Sequence, residues 1–458
     1  MAENVSPVSE AIQKMSSNLY LEEIQQSPYQ NVVMSPLSIH LAMSMLLYGA
    51  AGNSSKQLEK ALGLEGVQKE NHLKEVLMIL EKYKTLDNEN TTLNVANALF
   101  VSNEFEVEPE FEELVENQFE ANISGLDFND KSYLKVINEW AANKTNNLIN
   151  KLVPDGGLDT DVSMVLMNAV YFKAKWLEQF DEEKTSKRIF NTANGEVETD
   201  FMFLSAKIEY ARSEELSAAI VALPYIDEDY KMLVFLPEES SSVEHLEMAL
   251  FNNSKATSIQ QHLTRMKKRN IDLLFPKFEI GSELSLVKHF QQLGVLDIFG
   301  AEANFSGISS EVSNPIGDIV HKTKIEVSEE GSEAAAATAV FATKLFIPNK
   351  KITINNPFIF FIMDIKNGVP LFMGKIVNPS GKTENEEHEG TVEEAMAEDL
   401  NFIRESEDEL ASITNENVQD KIVEEVEAES GETDEARVEV DLDTSGEEDE
   451  SVESTTTL

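Results

Sequence analysis

Hydrophobic positions change period several times along this chain of 458 residues. From about Val8 to Gln26 they recur at helical spacing. Asn31 to Met34 reads as a short strand. Ser35-Pro36 then starts a helix, with a hydroxyl at the N-cap and proline in the first turn. That helix runs to Tyr48 and stops at Gly49 and Gly52. Asn53-Ser54 opens another through Leu62, and a third is predicted over Glu70 to Tyr83. Thr91 to Ser102 alternates as a strand does. Tyr133 to Lys151 is helical, ending before Pro154. Val162 to Lys173 is a near-continuous apolar run, the pattern of a strand buried on both faces. Strand-like runs follow at Phe201 to Tyr210, Ala218 to Leu223, Met232 to Leu236, Ile271 to Ile280, Asp318 to Val327, Ile352 to Asp364 and Leu371 to Val377. Val243 to Phe251 and Leu284 to Leu293 are helical, the second stopped by Gly294. Helices and strands without βαβ repetition indicate an α+β fold.

One stretch fits neither period alone. Between the Asp318 and Ile352 strands lies a segment bounded by the turn residues Gly331 and Pro348. Read as a strand, one side carries Ser332, Ala334, Ala336, Thr338, Val340 and Ala342, all small and uncharged. The other side carries Glu333 and Phe341. Such a segment slots into a packed sheet with its small face on the core and Glu333 in water, or stays outside as a long loop. A stretch legible both ways suggests a bistable element.

Charge alters the picture at the C-terminus. Acidic residues outnumber basic ones 83 to 37, for a net charge of −46. Residues 383–458 hold 29 acidic and 3 basic residues, leaving −20 for residues 1–382. The tail cannot bury enough apolar surface to offset chain entropy, so a disordered acidic extension is expected beyond the Ser380-Gly381 boundary. Within it, Val392 to Ile413 carries apolar residues near helical spacing, which leaves a transient amphipathic helix open. The overall charge argues against nucleic acid and anionic membrane as partners. With no cysteine, disulfides and thiolate metal sites are excluded. The start lacks a basic region and an apolar run of signal-peptide length, so a soluble cytoplasmic protein is expected, with export the alternative. Seven histidines fall outside any HExxH spacing, and neither a Gly-rich phosphate loop nor a Gly-x-Ser-x-Gly elbow is present, so an enzyme is not expected.

The run Glu329-Glu-Gly-Ser-Glu-Ala-Ala-Ala-Ala-Thr-Ala closely resembles the reactive-loop hinge of inhibitory serpins, the serine protease inhibitor family. Other stretches resemble serpin signatures in the same order along the chain. They are Asn31 to Ile39, Leu46 to Gly52, Asn168 to Trp176, Leu223 to Tyr225, Phe275 to Glu279, Asn355 to Phe361 and Leu371 to Pro379. Asn356 departs from the usual pattern, where a different polar or basic residue is more common. The resemblance covers about Pro7 to Lys382. It implies a serpin domain over 1–382, with about nine helices around three β-sheets and an exposed reactive loop at about 329–350.

By resemblance, Ser35, Ser38, Asn168 and His321 occupy the shutter, a polar cluster where two central strands part. Taken alone, Ser35 reads as a helix cap, Ser38 as a back-bonded helix serine and His321 as a satisfied core histidine. Glu329 and Lys277, near Trp176, correspond to a family ion pair at the breach, the head of the insertion site; alone they read as surface charges. The hinge comprises Glu329, Gly331, Ser332, Glu333, Ala334, Ala335, Ala336, Ala337 and Thr338. Counting along the loop puts the primary specificity residue at Leu345, with Lys344 and Phe346 as alternatives. Leu345 suits a chymotrypsin- or elastase-like pocket, and Lys344 a trypsin-like one. The implied activity is suicide inhibition of a serine protease, held as a covalent complex by a monomer that uses no cofactor or metal. The alternative is a non-inhibitory serpin: a carrier, chaperone or storage protein.

Overall fold

The computed structural model describes residues 5–84, 86, 88–158, 162–251, 259–310, 315–329 and 349–381. The hinge positions Gly331 to Thr338, the loop residues Lys344, Leu345 and Phe346, and the acidic extension lie outside the described residues.

The described part opens with α1 (Pro7–Gln26), β1 (Val32–Met34), α2 (Pro36–Gly49), α3 (Gly52–Ala61) and α4 (Lys69–Lys84). Ser35 caps α2, its hydroxyl accepting from Ser38 N, and Pro36 fills the first turn, where no amide donor is needed. Every α2 residue except Tyr48 is buried, so this helix is core rather than surface. Next come β2 (Thr91–Ser102), α5 (Pro109–Glu113), a π-turn at Leu114–Gln118, β3 (Asn122–Leu126), α6 (Ser132–Lys144) and β4 (Met164–Ala174). Then follow β5 (Asp181–Thr192), β6 (Gly195–Ser213), β7 (Ala218–Pro224), β8 (Tyr230–Pro237), α7 (Val243–Phe251) and α8 (Ile259–Arg265). The last elements are β9 (Lys267–Pro276), β10 (Phe278–Ser285), α9 (Val287–Gln292), β11 (Ile316–Val327), β12 (Lys350–Thr353), β13 (Phe358–Asp364) and β14 (Val369–Ile376).

Among the described residues there are thus nine α-helices, as expected for this α+β architecture. Five strands form one sheet in the order β10-β11-β4-β2-β3. The other nine form a second hydrogen-bonded sheet, β1-β14-β13-β8-β7-β6-β9-β12, with β5 added on β6. The expected second and third sheets are continuous here because β6 serves both. Its first part pairs with β5 and its last with β7, while β9 runs along its middle.

The main apolar core lies around α1 and α2 between the two sheets. A smaller core sits on the far face of the five-stranded sheet, where Phe100, Met167 and Val165 pack under Ile137 and Ala141 of α6. This two-sided cover explains the unbroken apolar run of β4. Gly374 marks a close crossing: a Cβ there would stand 2.0 Å from the Val32 carbonyl oxygen of β1.

Several elements end where the sequence pattern did not. The helix expected over Tyr133 to Lys151 stops at Lys144, because Asn146 and Asn147 adopt left-handed backbone and Thr145 Oγ1 bonds Ala141 O at 2.7 Å. The strand expected over Ile271 to Ile280 is two strands in two sheets, and the chain changes sheets at Lys277, whose amide donates to Asp200 O. Leu284 belongs to β10, so the following helix is shorter than expected. Asn355-Asn356-Pro357 likewise splits Ile352 to Asp364 into β12 and β13. No described helix is long and apolar enough to cross a membrane.

Candidate functional site

The middle of the five-stranded sheet is its unusual part. β4 and β11 are neighbours and parallel, paired from Ile316↔Met164 to Ile325↔Phe172. Outward from them, β10 and β2 pair antiparallel. A polar row crosses the strands at one level, Asn97 on β2, Asn168 on β4 and His321 on β11, set opposite one another by register.

All three are buried, together with Ser35 and Ser38 from the start of α2. Ser35 N donates to His321 Nε2 at 3.0 Å, so that nitrogen carries the lone pair. His321 Nδ1 therefore bears the proton and donates to Asn168 Oδ1. The Asn168 amide then gives its two hydrogens to Ser38 Oγ and Asn97 Oδ1. Ser35 Oγ donates to Leu371 O at 2.7 Å and accepts from Ser38 N. The structure thus brings together the four predicted residues in a fully paired network. Asn97 was not foreseen. Its signal was an asparagine on the β2 face that otherwise carries Leu93, Leu99 and Val101.

Burial pushes His321 down to about 3, which keeps it neutral. His40 and His72, buried with Nε2 atoms 3.2 Å apart, are lowered to about 3 and about 4, each mainly by desolvation. An unfolded histidine titrates near 6.5. Their contribution to stability is therefore complete above about pH 6.5 and is lost as pH falls toward 4, where the unfolded chain takes up protons the folded one refuses. Each costs about 1.4 kcal/mol per pH unit across that window. The melting temperature is expected to drop between pH 7 and 5, and His321→Gln to flatten that slope. A melting temperature constant over this range would contradict the assignment.

At the end of β11 a second group gathers. Trp176 Nε1 donates to Ser328 O at 2.9 Å, and its ring stacks on Tyr225 at 4.6 Å. Glu329 receives Lys277 Nζ at 2.7 Å and the Thr185 hydroxyl at 2.7 Å. Burial raises the Glu329 carboxyl, but the Lys277 and Thr185 hydrogen bonds outweigh it and the net direction is down. The Lys277 side chain is 45% exposed, so this pair fixes geometry more than it stabilises, about 1 kcal/mol or less. Trp176, Lys277 and Glu329 thus come together at the end of β11. Thr185 was missed, because β5 is mostly exposed and carries no apolar signal.

From Glu329 the chain runs on through 330–348 to β12, at the edge of the nine-stranded sheet. The segment therefore joins the end of a central strand of one sheet to an edge strand of the other.

Comparison with known proteins agrees with this architecture. Residues 10–379 match the family model described as Serpin (serine protease inhibitor). Mouse neuroserpin is 31% identical over 379 residues, covering 81% of this chain and 91% of its own. Human serpin B8 is 32% identical over 355 residues, covering 76% and 93%. Among solved structures, Serpin48 of the insect Tenebrio molitor superposes with a TM-score of 0.70 at 29% identity, covering 81% of this chain and 98% of its own. The chain belongs to the serpin family.

Proposed function

We propose that this chain inhibits serine proteases as a suicide substrate, cleaved between Leu345 and Phe346, with a chymotrypsin- or elastase-like enzyme as its target. Cleavage after Lys344 or after Phe346 are the alternative registers. The protease serine attacks the Leu345 carbonyl carbon; an ester to the protease forms, the peptide bond breaks, and the Phe346 amine leaves with a proton. The freed segment then enters the five-stranded sheet between β4 and β11, before water can hydrolyse the ester.

One observation carries this reading: β4 and β11 are parallel, and the small-residue segment is joined to the end of β11. A chain that turns back after β11 runs antiparallel to β11 and, because β4 is parallel to β11, antiparallel to β4 as well. Every new ladder bond then has ordinary antiparallel geometry. Entry would break the His321–Asn168 bond and leave Asn168–Asn97 intact, so Ser35, Ser38, Asn168 and His321 act as the re-pairing cluster. Trp176, Lys277 and Glu329 hold the head of the entry site. The native state is then kinetically trapped.

The test is incubation with chymotrypsin, elastase and trypsin, followed by a denaturing gel and mass analysis of the released C-terminal piece. The expected results are a covalent complex and a fragment starting at Phe346. A fragment starting at Leu345 would move the bond to Lys344, and one starting at Ile347 would move it to Phe346. Cleavage within 330–348 by all three enzymes with no covalent complex would reject inhibition and leave the carrier or storage reading.

A further inference from the structure

The seam between β4 and β11 is tied on both faces of the sheet. Asn168 and His321 tie it on the face that meets α2. Side chains alternate along a strand, so Tyr171 and Lys173 of β4 and Glu326 of β11 project from the other face. There Lys173 Nζ donates to Glu326 Oε1 at 2.9 Å, and the Tyr171 hydroxyl donates to Glu326 Oε2 at 3.3 Å. Both donors stand on β4 and the acceptor on β11, so one carboxylate holds two bonds across the seam.

Two features single out this contact. Glu279 of β10 stands directly opposite Glu326, and facing carboxylates repel. Lys324 takes Glu279 at 2.6 Å, whereas Glu326 draws on Lys173 from the far side of the seam. Lys173 also lies further along β4 than Asn168, about 16 Å nearer the end of β11 from which the chain continues into 330–348. A strand entering from that end meets this contact before the buried polar cluster. It then sets its own width, about 4.8 Å, between groups that now touch.

We infer, on the basis of the strand-entry reading above, that Tyr171, Lys173 and Glu326 form an outer clasp that adds to the barrier against opening, and that Lys173 passes from Glu326 to Glu333 as the segment enters. With its small face turned to the main core, the segment carries Glu333 on the opposite side, the side on which Lys173 lies. Glu333 also stands near the start of the segment, so it arrives at the end of the sheet where Lys173 stands. Lys173 has a carboxylate to pair with before and after entry, while the Tyr171 bond is given up to water. The barrier then falls as salt rises, and falls further when Glu326 loses its charge.

The test uses the full chain and a fluorescein-labelled peptide copying residues 332–343, which adds to the opened seam as a strand. Its rate of incorporation is read by anisotropy, with no protease present. Glu326→Gln is expected to speed entry about tenfold at low salt, the effect of losing hydrogen bonds to a charged group. Tyr171→Phe should act in the same direction by a smaller factor. Entry into the parent chain should quicken as salt rises, and entry into Glu326→Gln should not. A peptide carrying Glu333→Gln reads the handover. It should leave the parent chain faster than the parent peptide does, and leave Lys173→Gln at the same rate as the parent peptide. A circular dichroism spectrum matching the parent shows that each variant is folded. Equal entry rates for the parent, Glu326→Gln and Tyr171→Phe would overturn the clasp and leave strand entry standing. An equal effect of glutamine at position 333 on both chains would overturn the handover. A peptide that enters no chain would sink strand entry itself, and the clasp with it.

Discussion

Replacing Ala334 by arginine is expected to turn the chain from a trap into a substrate. Ala334 lies on the small face formed with Ser332, Ala336, Thr338, Val340 and Ala342. Insertion between β4 and β11 puts that face against residues buried on both sides of the sheet. A guanidinium there loses its hydration with no carboxylate to receive it, a cost of several kcal/mol. Every 1.4 kcal/mol added to the insertion barrier slows insertion about tenfold, while hydrolysis of the ester keeps its own rate. The acyl-enzyme then turns over. On a denaturing gel the covalent band should vanish and cleaved chain accumulate, with the loop cut as fast as before. Ala334→Ser, small and uncharged, should still trap. If Ala334→Arg traps as well as the parent chain, the small face is not what enters the sheet.

Cutting the loop should make the molecule much harder to melt. An inserted strand adds on the order of ten ladder hydrogen bonds at about 1 kcal/mol each. Unfolding about 380 residues carries an entropy near 0.8 kcal/mol/K at the midpoint, so about 10 kcal/mol corresponds to a rise of at least about 12 °C. Burial of the small face adds to this. The measurement is a melting curve before and after limited cleavage within 330–348 by a protease that the chain does not trap. An unchanged midpoint would mean that the cut segment stays out of the sheet.

Long, strongly patterned elements were legible in the sequence. The alternation of β2, the continuous apolar run of β4 and the Ser35-Pro36 start of α2 each follow from one local rule, and each appears within two residues of its expected bounds. Changes of sheet were not legible. Phe275 and Phe278 are both buried, so nothing in hydrophobicity marks that β9 and β10 lie in different sheets. The polar α8 and the exposed β5 carry little apolar signal, and the tightly turned α5 is too short for a period to register. The candidate site was recognisable by resemblance for Ser35, Ser38, Asn168 and His321. Asn97 was missed because its partner comes from a pairing between strands, and Thr185 because its partner, Glu329, comes from the end of the other sheet; a linear pattern records neither.

Ser35 and Ser38 sit one turn apart, yet they hold opposite banks: Ser35 bonds His321 on β11, and Ser38 bonds Asn168 on β4. The first turn of α2 is thus a staple driven across the boundary between β4 and β11, the seam that the proposed insertion would open. Anything that shifts this turn by a fraction of an ångström unfastens both sides together. If the chain inserts as proposed, the threshold for opening is therefore set less by the parting strands than by how firmly one buried helix end is seated.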